Sequence, residues 1–164
     1  MTAETMFRTG FALLLLTGLC AGCLSVEMTD HSGPGSVSVA PTERLNATEP
    51  FELTGQVFFE LDETTTERSR FEDVRLCLYA ENGTVLAAEP LGAFEVPSTV
   101  VNVSVRTEQA PWYIYVHHPA FQSLEEFDNE LLVYRPDDDR YGPGTVEDLP
   151  VRVERLTETR CRPA

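Results

Sequence analysis

Lysine is absent from all 164 residues of the chain, and arginine supplies every one of its 12 basic side chains. Without lysine the chain has no phosphate-binding P-loop, no Schiff-base amine and no Ser-x-x-Lys nucleophile, because each of these needs a lysine. The motifs G-x-S-x-G and H-E-x-x-H and a Gly-rich phosphate loop are missing as well. We therefore expect a protein that is not an enzyme and that needs no cofactor.

Positive charge is scarce in general, since 27 Asp and Glu residues give a net charge of −15. In molar salt the Debye length falls to about 3 Å, so dense carboxylates stop repelling one another and mainly hydrate the surface. An acidic chain with arginine as its only cation resembles the proteins of halophilic archaea. Nucleic-acid binding is not expected, because phosphate contacts need Lys/Arg patches and weaken steeply with salt.

A long hydrophobic run is also lacking. The apolar stretch near the N-terminus spans about 15 residues, whereas a membrane-spanning helix needs roughly 20. Arg8 precedes the run "GFALLLLTGL", and the small residues Ala21 and Gly22 follow it. This is the order of a secretory signal peptide, which we predict over residues 1–22. An uncleaved N-terminal anchor is the alternative.

The motif "CAGC", which ends at Cys23, resembles the lipobox of secreted lipoproteins, in which cleavage precedes a cysteine that receives lipid. Small residues precede Cys23, as the motif requires, whereas Leu19 precedes Cys20. The sequence departs from the motif where Cys20 replaces the usual leucine. The resemblance implies a lipid at Cys23 and attachment to the extracellular face of the cell membrane.

The cysteine count favours the same choice. Lipidation of Cys23 would remove Cys20 with the signal peptide and leave Cys77 and Cys161 as an even pair. Because disulfides form in exported proteins, we predict a bond between Cys77 and Cys161. The alternative is two unpaired thiols.

The rest of the chain predicts a spacer and one β domain. Residues 23–50 are rich in Ser, Thr, Pro and Gly, which predicts a flexible spacer between the membrane and a folded domain at 51–164. The segment "FELTGQVFFEL" alternates apolar and polar residues, with Phe58 as the exception, and predicts a half-buried strand. Asn82-Gly83 predicts a hairpin with a type I′ turn. The predicted strands cover 51–61, 74–79, 85–91, 100–106, 112–118, 131–135 and 151–156.

These seven strands predict an all-β fold, a seven-stranded antiparallel β-sandwich of the immunoglobulin-like or transthyretin-like kind. The sole helix candidate is "QSLEEFDNE" at 122–130. The segments "VRLCLYAENGTVLAAEPLG" and "PWYIYVHHPAF" resemble a group of uncharacterised haloarchaeal surface lipoproteins, and the hairpin faintly resembles transthyretin-like accessory domains. Neither resemblance implies a known activity.

Three N-glycosylation sequons begin at Asn46, Asn82 and Asn102, and an exported chain can carry glycans there. Asn46 lies in the predicted spacer, Asn82 is also a turn residue, and Asn102 falls on the outward register of its strand. We leave open which of the three is occupied.

Two further groups are candidate binding sites. Asp137, Asp139 and Asp148 lie in an acidic loop that departs from the EF-hand pattern but could hold Ca²⁺ or Mg²⁺ loosely. Tyr113, Tyr115 and His117 form one stripe of a strand and could stack against a sugar or a peptide. A solvated acidic loop and a central strand covered on both faces are the respective alternatives.

Together these features predict a lipid-anchored cell-surface module of a halophilic archaeon that has a binding or structural role. We expect a monomer with a cell-surface protein or glycan as partner. The alternative functions are an accessory subunit of an exported transporter or enzyme complex, and a hydrolase with an unrecognised site.

Overall fold

A computed structural model describes residues 35–62, 70–124, 127–149 and 161, and builds them mainly from β-strands. Within these ranges nine strands and three short 3₁₀ helices occur, and no α-helix. The strands are β1 (Gly35–Pro41), β2 (Phe51–Leu61), β3 (Arg70–Tyr79), β4 (Val85–Glu95), β5 (Ser98–Thr107), β6 (Tyr113–His117), β7 (Phe127–Asn129), β8 (Leu131–Arg135) and β9 (Arg140–Gly144). The 3₁₀ helices are Pro119–Gln122, Pro136–Asp138 and Val146–Asp148.

The strands form two sheets that pack together. One sheet has the order β5-β2-β1-β7, and the other has the order β4-β3-β6-β8-β9. The predicted all-β class with two packed sheets is confirmed. The described residues nevertheless contain nine strands rather than seven, and β1 pairs with β7 in parallel, so the predicted count and the purely antiparallel pairing are wrong. The strand predicted at 151–156 lies outside the described residues.

The folded part begins by Gly35, so the predicted boundary at Phe51 is wrong and residues 35–50 are not a spacer. Strand β1 lies between β2 and β7 and faces the core with Val37, which is fully buried. Its neighbour β2 comes very close at Gly55, where an added Cβ would lie 2.5 Å from the carbonyl oxygen of Ala40. Composition alone does not predict this strand, because its small residues are typical of a linker. They form a strand because they pair with β2.

The helix predicted over 122–130 is also wrong. The chain ends a 3₁₀ helix at Gln122 and forms the short strand β7 over Phe127–Asn129. The ring of Phe127 lies 5.1 Å from that of Phe121 and 6.4 Å from that of Phe59. Pairing with β1 and this aromatic packing outweigh the modest helix propensity of the segment.

The predicted hairpin at Asn82-Gly83 joins β3 to β4, but its turn differs from the prediction. The amide of Gly83 donates to the carbonyl of Ala80 at 2.9 Å. Gly83 is the one residue of this loop with a positive φ, of 79°. The amide of Ala80 donates to the carbonyl of Thr84 at 2.8 Å. A three-residue loop that ends in a left-handed glycine therefore replaces the type I′ turn, which would need positive φ at both central residues.

The core between the sheets is an aromatic cluster around Phe59. Its ring lies 5.3–5.5 Å from the rings of Phe71, Phe94 and Phe121. The alternation of β2 places Phe59 and its apolar neighbours inward, as predicted, and leaves Phe58 outward. Aromatic rings that bury this much area dominate the stability of such a core.

Candidate functional site

The outer face of the five-stranded sheet is covered by a second apolar cluster, which we call the covered face. Its buried members are Cys77, Tyr79, Tyr115, Leu131, Leu149 and Cys161. The predicted disulfide between Cys77 and Cys161 is present, with its Cα atoms 6.2 Å apart and a sequence separation of 84 residues. The bond attaches Cys161 to β3 near the C-terminal end of that strand.

This cover removes the predicted stacking platform. Tyr115 is 0% exposed and His117 is 1% exposed, while Tyr113 is half-buried. The interpretation of an open tyrosine and histidine stripe is therefore wrong, and the alternative of a central strand covered on both faces is confirmed. The rings of Tyr115 and His117 therefore offer no exposed surface on which a sugar or a peptide could stack.

Asn129 is a buried polar residue that the sequence did not single out. Its Nδ2 donates to the hydroxyl of Tyr115 at 3.0 Å and to the carbonyl of Val116 at 3.3 Å. Gln122 donates to the same hydroxyl at 3.4 Å. Burial raises the pKa of Tyr115, although these two hydrogen bonds oppose the shift. Nothing in the sequence indicated that Asn129 is buried, because this residue lies within the segment predicted as a helix.

Tyr79 presents a contrast on the same face. Its hydroxyl is buried and has no hydrogen-bond partner among the described residues. Burial, with a smaller contribution from Tyr115, raises the pKa of Tyr79 far above its usual value. Burial therefore favours the protonated hydroxyl at both tyrosines.

The acidic loop does not bring its carboxylates together. Asp137 lies in the 3₁₀ helix Pro136–Asp138, and Asp139 accepts a hydrogen bond from the hydroxyl of Tyr134 at 2.9 Å. Asp148 closes a capping box with Thr145, whose amide donates to it at 2.8 Å. The described part of the chain contains no group of three or more His, Cys, Asp or Glu side chains that could hold a metal ion. The described structure therefore does not bring Asp137, Asp139 and Asp148 together into one cation site.

The outer face of the four-stranded sheet stays uncovered by any described residue, and we call it the open face. Gln56 donates to Oδ1 of Asn102 at 3.0 Å, and Arg106 lies 3.5 Å from a carboxylate oxygen of Glu52. The members on β2 and β5 are Glu52, Thr54, Gln56, Phe58, Glu60, Ser98, Val100, Asn102, Ser104 and Arg106.

The loop between β1 and β2 encloses a groove of about 380 Å³ at one end of the open face. The amide and hydroxyl of Thr42 both donate to the carbonyl of Thr54, at 2.9 and 3.0 Å, and hold the loop against β2. Leu45 is buried in the core and anchors the loop from below. The groove walls carry Glu43, Arg44, Asn46, Thr48, Pro50 and Glu52. This lining is mainly polar and suits a hydrophilic ligand, in contrast to the apolar walls of most small-molecule pockets.

All three sequon asparagines are exposed, on different parts of the surface. Asn46 lines the groove, Asn82 lies in the hairpin turn, and Asn102 lies on the open face. Oδ1 of Asn82 accepts a hydrogen bond from the amide of Thr84 at 3.0 Å. The predicted lipidation site, Cys23, lies outside the described residues.

Comparison with known proteins assigns no relative to the chain: no family model, no curated protein and no solved structure matches it. Within the described residues, no helix has the length and apolar character required to cross a membrane. The function therefore has to be inferred from the chain's own residues.

Proposed function

We propose that the chain is a lipid-anchored cell-surface module of a halophilic archaeon, with a binding or structural role and no catalysis. The observation that supports this most is the disulfide between Cys77 and Cys161. Disulfides persist in oxidising compartments outside the cytosol, which agrees with the signal-like N-terminus. The acidic, lysine-free composition supports a salt-rich environment.

The open face is the side on which we place the partner. The covered face has its polar stripe buried under Leu149 and Cys161, whereas the open face presents hydroxyl, amide and charged groups to solvent. The groove at its end adds the guanidinium of Arg44. A cell-surface protein or glycan with hydrogen-bonding groups is the class of partner that suits this surface, and the module acts as a monomer.

The sandwich itself is of the immunoglobulin-like or transthyretin-like kind in this proposal. Two facing sheets of four and five strands, with mostly antiparallel neighbours, support that placement. The connections β2–β3 and β4–β5 each cross from one sheet to the other, as Greek-key sandwiches require.

The anchor is the lipid on Cys23, with residues 1–22 removed and residues 23–34 as the tether. The fold begins by Gly35, so the tether is shorter than the composition predicted. A single acyl chain binds membranes only marginally, so the proposal requires a two-chain lipid on Cys23.

The test is the intact mass of the protein purified from membranes of its native host. We expect the mass of residues 23–164 plus lipid, less two hydrogens for the disulfide. Cys23→Ser is expected to yield an unprocessed or released protein, while the matched control Cys20→Ser stays processed and membrane-bound. A full-length mass without lipid would instead indicate an uncleaved N-terminal anchor and would contradict the lipoprotein proposal.

A further inference from the structure

The open face carries an apolar pair in a polar surface. Phe58 is 41% exposed and Val100 is 55% exposed, and they are the exposed large hydrophobic residues of the described part of the chain. The two residues are direct partners across β2 and β5. Scattered surface hydrophobics are ordinary, so exposure alone assigns no role to this pair.

The neighbouring register position holds a sequon. Gln56 and Asn102 are the next outward-facing partners along the same two strands, which makes Asn102 the diagonal neighbour of Phe58. Diagonal neighbours across a strand pair lie about 7–8 Å apart, within reach of a long side chain or of its substituent. Asn102 begins the sequon Asn102-Val103-Ser104.

The amide of Asn102 is oriented for modification. Its Oδ1 accepts the hydrogen bond from Gln56 at 3.0 Å, which leaves Nδ2 for a substituent. N-glycosylation takes place on Nδ2, so the bond to Gln56 survives it and fixes the direction in which a glycan leaves the sheet. Among the described strands, β5 lies at the edge of its sheet.

From this juxtaposition we propose that Asn102 carries an N-linked glycan whose first sugars pack on Phe58 and Val100. The apolar C–H face of a pyranose covers the ring and the methyl groups and removes them from water. The inference rests on the proposed export of the chain, because glycan transfer takes place outside the cytosol.

The reaction is a substitution with no change of oxidation state. The donor is an oligosaccharide linked through phosphate to a lipid carrier, and the catalyst is a transferase of the host. A bond forms between Nδ2 and the anomeric carbon of the sugar, while the bond between that carbon and the phosphate oxygen breaks. The electron pair leaves with the phosphate, and the proton lost from Nδ2 neutralises it.

The other two sequons lack this platform. Asn46 lies in a groove whose walls are mainly polar, and Asn82 is followed by Gly83 and Thr84 in an exposed turn. Among the described residues, the exposed large apolar side chains are Phe58 and Val100, and neither lies in the loop of Asn46 or in that of Asn82. The proposal therefore singles out Asn102 for a glycan that packs on the protein.

Occupancy is tested on the full protein from the native host by mass spectrometry of its proteolytic peptides. We expect sugar on the peptide that contains Asn102, its loss in Ser104→Ala, and its retention in the matched control Ser104→Thr. An unmodified Asn102 in a protein whose intact mass shows lipid and disulfide would overturn this inference and leave the proposed function standing. A protein without lipid would instead contradict the proposed function itself.

Packing of the glycan on Phe58 and Val100 is tested by a double-mutant cycle in which thermal unfolding midpoints are compared. In the wild-type background, we expect Ser104→Ala to lower the midpoint by about 2 °C as the sugar contact is lost. In a Phe58→Ser background, and in the second variant Val100→Thr, the same substitution should change it much less. Equal shifts in all backgrounds would show that the glycan does not contact the pair and would overturn the proposal. A glycosylated dimer that Phe58→Ser dissociates would assign the pair to self-association and overturn it too.

Discussion

The two outer faces of the sandwich are built from strands that alternate apolar and polar residues, but one face is buried and the other is exposed. On the covered face, Tyr79 and Tyr115 are fully buried beneath Leu149 and the disulfide. On the open face, Gln56 and Asn102 stay at the surface and hydrogen-bond to each other. The difference does not lie in the strands themselves. It arises because Leu149 and Cys161 cover one outer face, whereas no described residue covers the other.

This asymmetry predicts which substitutions affect stability. The covered face contributes a second apolar cluster and a covalent link, so substitutions there should cost free energy of unfolding. The open face contributes little burial and can change without loss of the fold. Each prediction below compares the two faces or two residues of the covered face.

Removal of the disulfide is expected to have the largest effect. The double variant Cys77→Ala/Cys161→Ala should lose about 4 kcal/mol of unfolding free energy, because the bond closes a loop of 84 residues in the unfolded chain. Urea unfolding with and without reductant measures this. The wild type should lose the same amount on reduction, and the double variant should not respond. A loss below about 1 kcal/mol would show that the cover holds without its bond.

A matched pair of aliphatic truncations compares the faces directly. Leu131 is 0% exposed in the covered cluster, and Leu131→Ala should cost about 3 kcal/mol through lost burial and a residual cavity. Val100 is 55% exposed, and Val100→Ala in unglycosylated protein should stay within about 0.5 kcal/mol. Chemical unfolding of both variants gives the two values. Equal costs would contradict the division between a covered and an open face.

The sequence predicted the sheets well where burial follows local alternation. In β2 every second residue from Phe51 to Leu61 is buried, which is the pattern of the printed sequence. Prediction from the sequence failed where the conformation of a segment depends on the strand with which it pairs. Strand β1 reads as a linker, and the segment at 122–130 reads as a helix, because their strand conformation depends on β2 and on the Phe59 cluster.

The candidate sites show the same difference between features set by local alternation and features set by distant parts of the chain. The cysteine count, taken together with the predicted lipidation of Cys23, predicted the disulfide, and the alternation of β5 predicted that Asn102 lies outward. Alternation gives the face on which a side chain lies but says nothing about what covers that face. Alternation therefore leaves open whether the stripe Tyr113, Tyr115 and His117 is exposed or covered. The cover includes Cys161, which lies 44 residues beyond His117 in the chain.

Alkaline pH should destabilise the protein through the covered face. Burial raises the pKa of Tyr79 and of Tyr115 above the ordinary value of 10.0. The unfolded chain releases these protons first, so the contribution of the tyrosines to stability is constant well below about pH 10 and decreases above it. For Tyr79 the limiting slope is about 1.4 kcal/mol per pH unit. The raised pKa values of Tyr115 and Tyr141 act in the same direction. Unfolding free energies between pH 9 and 12 measure the slope. Tyr79→Phe should reduce the slope by one tyrosine, and an unchanged slope would place the titration elsewhere.

The smallest effect separates the two buried hydroxyls of the covered face. Tyr115→Phe removes the acceptor of Asn129, so it should cost about 1 kcal/mol, since a hydrogen bond is lost. Tyr79→Phe removes a buried hydroxyl that has no partner among the described residues, so it should be neutral or stabilise by up to about 1 kcal/mol. Urea unfolding near neutral pH compares the two variants without interference from titration. Opposite signs would show that the hydroxyl of Tyr79 is unsatisfied in the folded protein, whereas equal losses would mean that it has a partner in solution.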